Sequence, residues 1–175
     1  GVACGAVYSS EKSIDALTEN IPTTIAGRLE TIMRVVNSVF GESAKGKLHM
    51  TMCFLSLDLK TGDLYFASAG HPAPLWYSQE NEKVKRLVAK GNPLGYKPEI
   101  ENVNIVKVKL TPGDSIFAFT DGIYENVGPE GKAFKVSKFK KIFANQERPL
   151  QEVHDEIMDT AKIIWQDQEA DDDVA

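Results

Sequence analysis

Cysteine is scarce in this chain: Cys4 and Cys53 are the only two. No disulfide framework is implied, which suits a reducing compartment. Each sits among small or apolar neighbours and reads as a buried reduced thiol. The three histidines, His49, His71 and His154, are far apart and have no nearby cysteine. That spacing argues against a zinc cluster. Excess positive charge is also missing, since the net charge is −5. This speaks against a nucleic-acid groove or an anionic membrane surface as the main partner. No apolar run is long enough to cross a bilayer. There is no basic leader, no internal repeat, no low-complexity linker and no Gly-rich nucleotide loop. The chain opens on Gly1-Val2-Ala3 without methionine, inside an apolar segment. That reads as an excised domain.

What remains is an ordinary globular composition, 42% apolar over 175 residues. That is enough for one domain with a proper core. Residues 1–9 read as the end of a buried helix and residues 10–20 as a loop. Pro22 suits the first turn of a helix. Ile25, Leu29, Ile32, Val36 and Val39 then follow at helical steps, with Arg28, Glu30, Arg34 and Asn37 on the other side and Gly41 as a stop. The period next changes to two. Residues 50–59 read as a strand on which Leu55, Leu57 and Leu59 share a face. Lys60-Thr61-Gly62-Asp63 is a turn, and residues 64–68 are the return strand. Residues 75–78 and 84–88 form a second hairpin. Val106, Val108 and Leu110 alternate with lysines, as in a sheet with one wet face. Residues 115–120 read as a short strand buried on both faces. Helices over residues 136–145 and 150–165 follow. In the second, Val153, Ile157, Ala161 and Ile164 keep step. This order predicts an α+β layered domain and argues against alternating strand–helix units.

Two acidic groups could carry chemistry. In Phe119-Thr120-Asp121-Gly122 an apolar strand delivers a carboxylate to its end. A glycine follows that lets the backbone turn and approach an ion. Hard divalent cations take such oxygen ligands on rigid supports. The alternative is an Asx-capped turn. Asp171, Asp172 and Asp173 form the second group, followed by the apolar Val174. Three adjacent acids repel unless solvated or neutralised by a cation. Their alternative is a solvated acidic tail.

Five segments occur in order: Ser68-Ala69-Gly70-His71-Pro72-Ala73-Pro74-Leu75, Pro93-Leu94-Gly95, Leu110-Thr111-Pro112-Gly113-Asp114, Thr120-Asp121-Gly122-Ile123-Tyr124-Glu125, and Asp172-Asp173-Val174. Together they closely resemble the bacterial stage-two-sporulation-E branch of the PPM metal-dependent protein serine/threonine phosphatases. The resemblance implies two antiparallel β-sheets packed as a sandwich and flanked by α-helices, with a two-metal centre at one edge. It makes Asp121 and Asp172 the catalytic metal ligands. Gly122 and Asp173 stand beside them, and Glu125 falls where some relatives hold an extra metal. Mn²⁺ or Mg²⁺ is the implied cofactor. Two cations would clamp the phosphate oxygens and lower the pKa of a bridging water. No protein nucleophile is then required. Ala175 stands where threonine is usual.

The resemblance also implies a family Gly-Asp motif upstream, which these residues do not contain. The expectation is therefore a single phosphatase domain over residues 1–175. It would lack its N-terminal strands, its first metal motif and its C-terminal strand, and would be nearly inactive alone. The implied substrate is a phosphoprotein, typically an anti-sigma-factor antagonist in a partner-switching pathway. The implied location is cytoplasmic, at the end of a larger sensor protein, with no nucleic acid and no direct membrane contact. A homodimer is one assembly open to it, but a cut sandwich would expose a strand edge, so dimers could reflect the cut and not the biology. Two other readings stay open: a non-catalytic interaction module on the same fold, and a generic α+β domain with a calcium-stabilised acidic tail. His71 reads either as a general acid or as a structural residue bonded to nearby backbone.

Overall fold

The computed structural model describes residues 22–129 and 131–165. Cys4, the helix end expected over residues 1–9, and the Asp171-Asp172-Asp173 run lie outside the described residues. Two compact units are present. Of the described residues, one unit combines 22–73 with Leu87–Leu110; the other combines Pro74–Arg86 with 111–129 and 131–165.

The first unit opens with helix α1, Ile25–Ala44. Thr24 caps it, its hydroxyl oxygen accepting from the Gly27 N–H at 3.1 Å. Pro22 therefore precedes the helix and does not occupy its first turn. Gly41 is not the stop either. A mid-helix glycine costs only about 1 kcal/mol, and termination waits for Lys45 in the left-handed region, φ 47°. The buried positions are Leu29, Met33 and Asn37, at steps of four, while Ile32 is 46% exposed. The expected face is thus rotated, and Asn37 moves from the wet side to the dry one. The reason is a polar one. The Asn37 Nδ2 donates to the carbonyls of Lys97 and Pro98 at 3.1 Å each, and its Oδ1 accepts from the Gly95 N–H at 2.9 Å. A fully bonded amide can be buried at little cost.

Strands β1 (Met52–Asp58) and β2 (Asp63–Ala69) form the expected hairpin. The turn is held by Asp58, whose Oδ1 accepts from the Lys60 and Thr61 N–H groups at 2.8 and 3.3 Å. Strand β5 (Val106–Lys109) pairs antiparallel with β2, giving the sheet order β1-β2-β5. Phe54, Ala67 and Ala69 bury against Leu29, Met33 and Leu94. The Leu55 and Leu57 face is partly exposed, at 40% and 44%. Cys53 is half-buried, and burial pushes its thiol up to about 11, as expected of an inert reduced cysteine.

The second unit holds strands β3 (Leu75–Ser78), β4 (Lys83–Arg86) and β6 (Ser115–Phe117), in the order β4-β3-β6 and antiparallel. Strand β6 stops three residues earlier than the sequence suggests. It is half-buried at Ile116 and Phe117, and Ala118 just beyond it is exposed, so the segment is not buried on both faces. Three helices follow: α2 (Gly122–Glu125), α3 (Val136–Phe143) and α4 (Leu150–Trp165). Helix α4 buries Val153, Ile157, Ala161 and Trp165, with Ile164 only partly covered. The architecture is α+β with two antiparallel three-stranded sheets, as the sequence predicts.

Candidate functional site

Asp121 sits one residue before α2, a single helical turn. Its side chain makes no capping hydrogen bond to that helix. Its backbone is nevertheless fixed. The Asp121 carbonyl accepts from the Tyr124 and Glu125 N–H groups, both at 2.9 Å. On either side, Phe119 and Ile123 are buried in the core of the unit. The Phe119 ring meets Phe139 edge-on at 4.9 Å and lies 5.5 Å from Phe117. Such aromatic pairs add about 0.5–1.5 kcal/mol each beyond their burial. The carboxylate is thus carried by a backbone anchored two residues before and two after.

Gly122 is buried and helical, so the sharp turn expected of it is replaced by the start of α2. Its carbonyl accepts from the Asn126 Nδ2 at 2.7 Å. Asn126 is buried and closes the far end of the turn, a role that sequence reasoning missed. Its only signal is an amide four residues after Gly122, directly following residues 120–125. Glu125 is exposed, four residues after Asp121 and on the same side of the turn. Tyr124 lies between them. Burial first, then the charges of Asp121 and Glu125, push its phenol up, while Arg86 pulls it down. The two carboxylates put negative charge on this turn, with the Arg86 cation within reach of the same phenol. As a partial oxygen-donor set they fit a hard divalent cation. Among the described residues, no group of three or more His, Cys, Asp or Glu side chains stands close enough to hold a metal. Asp172 and Asp173 lie outside the described residues.

The other motifs fold as supports. The Asp114 carboxylate accepts from the Gln79 N–H (2.8 Å), the Thr111 N–H (3.0 Å) and the Trp76 Nε1–H (3.3 Å). It thereby ties the Thr-Pro-Gly-Asp turn to β3. Burial opposes its ionisation, but the hydrogen bonds outweigh it and hold the carboxyl below the ordinary range. In Pro93-Leu94-Gly95, Leu94 is fully buried and exchanges two backbone hydrogen bonds with Met50. Gly95 has φ +77°, and a Cβ there would stand 2.9 Å from the Phe40 ring.

His71 belongs to the first unit. The Ser68 hydroxyl accepts from the His71 N–H and donates to its carbonyl, both at 3.1 Å. The ring Nδ1 lies 3.1 Å from the Pro72 carbonyl. This geometry matches the structural reading of His71. The residue also lines a cleft of about 550 Å³ with Ser68, Lys90, Asn92 and Asn104.

The stage II sporulation protein E (SpoIIE) family model matches residues 6–175. The chain belongs to that family. The resemblance read from the ordered motifs is thus a membership, in the SpoIIE branch of the PPM-type phosphatases. The phosphoserine phosphatase RsbU of Bacillus subtilis is 28% identical over 94 residues, 54% of this SpoIIE-family chain. The chain spans only 28% of that relative's length. The solved RsbU and RsbW domains of Rv1364c from Mycobacterium tuberculosis match at TM-score 0.62 with 26% identity, over 93% of this chain and 44% of that one. The SpoIIE phosphatase domain from Bacillus subtilis, presoaked with Mn, matches at TM-score 0.59 with 20% identity, over 98% and 74%. The SiaA-PP2C domain of Pseudomonas aeruginosa matches at TM-score 0.63 with 18% identity, over 86% and 68%. The family fold is thus shared across 86–98% of this chain.

Proposed function

We propose that this SpoIIE-family domain takes part in metal-dependent hydrolysis of phosphoserine or phosphothreonine on a regulatory protein. The setting is a bacterial partner-switching pathway, with an anti-sigma-factor antagonist as the kind of substrate. The observation that carries the reading is Asp121: a carboxylate on a rigid turn, uncommitted to capping the helix it precedes. Asp121 would hold the cation, with Glu125 one turn away as an outer ligand. Gly122 and Asn126 keep the turn closed. A bound Mn²⁺ or Mg²⁺ supplies charge stabilisation at phosphate oxygens and acidifies water.

The end of α4 supports a role for Asp172 and Asp173. A Cβ on Gly128 would stand 2.0 Å from the Ile164 carbonyl oxygen, so the loop after α2 packs directly on the last turn of α4. Asp172 follows Trp165 by seven positions. Among the described residues no helix is long and apolar enough to cross a membrane. We take the domain to work in the cytoplasm, as part of a larger protein.

The test is Asp121→Asn in the complete parent protein, assayed on a phosphoserine peptide with and without Mn²⁺. Loss of an outer-shell partner alone costs 10–100-fold in metal affinity or activity. Turnover should therefore fall by about 100-fold or more, with Mn²⁺ affinity by calorimetry falling alongside. Unchanged turnover removes Asp121 from the site. A wild-type parent that binds phosphoprotein but never hydrolyses it makes the domain a non-catalytic interaction module.

A further inference from the structure

Just past the candidate site the charge of the chain reverses. Between Glu130 and Glu147 stand Lys132, Lys135, Lys138, Lys140 and Lys141, with no acid among them, in a chain of net charge −5. Helix α3 sorts this segment. Phe139 and Phe143 face the core, fully buried. Lys135, Lys138 and Lys141, spaced by three, are exposed. Among the described residues, Lys135, Lys138, Lys140 and Lys141 have no ion-pair partner. Like charges at helical spacing repel. Lys135 and Lys138 also sit at the end of α3 where the helix dipole is itself positive. Helix stability accounts for Lys140 and Lys141, which lie in the last turn where the dipole favours cations, but not for Lys135 and Lys138. Helix α3 shares a core with the candidate site: its Phe139 ring packs 4.9 Å from Phe119, two residues before Asp121, and Lys138 and Lys141 are exposed on the same helix.

We propose that the lysine face of α3 docks an acidic stretch of the phosphoprotein substrate next to the phosphoester. This rests on the phosphatase reading above. Charge complementarity selects an anionic partner, and the dimensions select a short one. Eight residues of helix extend about 12 Å, the reach of about four residues of extended chain. A membrane surface fits poorly. Interfacial helices bury their apolar face in lipid, whereas the apolar face of α3 is already spent on the core.

The experiment uses the complete parent protein and its Lys135→Gln, Lys138→Gln, Lys141→Gln triple variant. Exposed substitutions of this kind leave stability within about 0.5 kcal/mol. The probes are two fluorescein-labelled phosphoserine peptides, one flanked by four glutamates and the other by four glutamines. By anisotropy at low salt, the wild type should bind the glutamate peptide about tenfold more tightly than the glutamine peptide. The preference should fade towards about 0.5 M salt and be absent in the variant. Hydrolysis of p-nitrophenyl phosphate with Mn²⁺ should be equal in both proteins. Equal binding of the two peptides by the wild type overturns the proposal. So does lysine-dependent binding to phosphatidylglycerol vesicles without selectivity between the peptides. Acid-selective binding by a wild type that hydrolyses nothing keeps the docking face and overturns the phosphatase reading alone.

Discussion

A methyl group on Gly128 would test the join between the candidate site and the C-terminal helix. The position has no positive φ to strain, so the effect of Gly128→Ala is steric. The added carbon would lie 2.0 Å from the Ile164 carbonyl oxygen and 3.1 Å from its carbonyl carbon. A relaxed carbon–oxygen contact is about 3.3 Å, so one backbone must retreat by about 1.3 Å. Both partners are main chain, and Ile164 is held in a helix whose neighbours Ala161 and Trp165 are buried. Neither side gives way easily. Overpacking of this kind costs about 1–3 kcal/mol. In urea denaturation followed by circular dichroism, the midpoint should fall with the slope unchanged. Gly131→Ala is the control. It has φ +71° but nothing within 4 Å, so it carries backbone strain of about 1 kcal/mol without displacing α4. In the complete parent protein, Mn²⁺ affinity should drop for Gly128→Ala and hold for Gly131→Ala. Wild-type stability in Gly128→Ala would refute the contact. A normal Mn²⁺ affinity in a destabilised Gly128→Ala would refute its link to the cation site.

Two further perturbations probe the supporting motifs. Asn37→Ala removes three hydrogen bonds and leaves the Gly95 N–H without its partner. At about 1 kcal/mol per bond, a loss of about 2–3 kcal/mol is expected in urea denaturation; a loss under about 0.5 kcal/mol would show that the amide is not the anchor. For Asp114, the folded carboxyl lies below its unfolded value of about 3.9. Its stabilising contribution is therefore present above pH 4 and is lost as pH falls through the folded value. Asp114→Asn should be less stable than wild type at pH 7, and the gap should close in acid. A gap that stays constant from pH 7 to pH 2 would exclude the titration of Asp114 as its source.

The sequence by itself determined much of this protein. Alternation at two-residue steps set the hairpins, and Lys60-Thr61-Gly62-Asp63 marked the first turn, with Gly62 at positive φ; the Asp58 carboxylate that holds it emerged only in the folded structure. The amphipathic stretch ending at Trp165 fell where helix α4 lies. These signals are local: they depend on a residue and its neighbours within one turn. The ordered motifs carried the family in the same way, because each is a contiguous string. What escaped is long-range. Asn37 reads as a solvent residue because its three partners are about sixty positions away. The face of α1 is set by that loop and not by hydrophobicity alone. Gly122 reads as a turn glycine, yet Asn126 and the aromatic rings around Phe119 make it helical. The docking of Gly128 on Ile164 has no sequence signature, since a close backbone approach exists only once both segments are folded. Pattern fixes which face of an element is apolar; only packing decides which buried groups, polar ones included, complete one another.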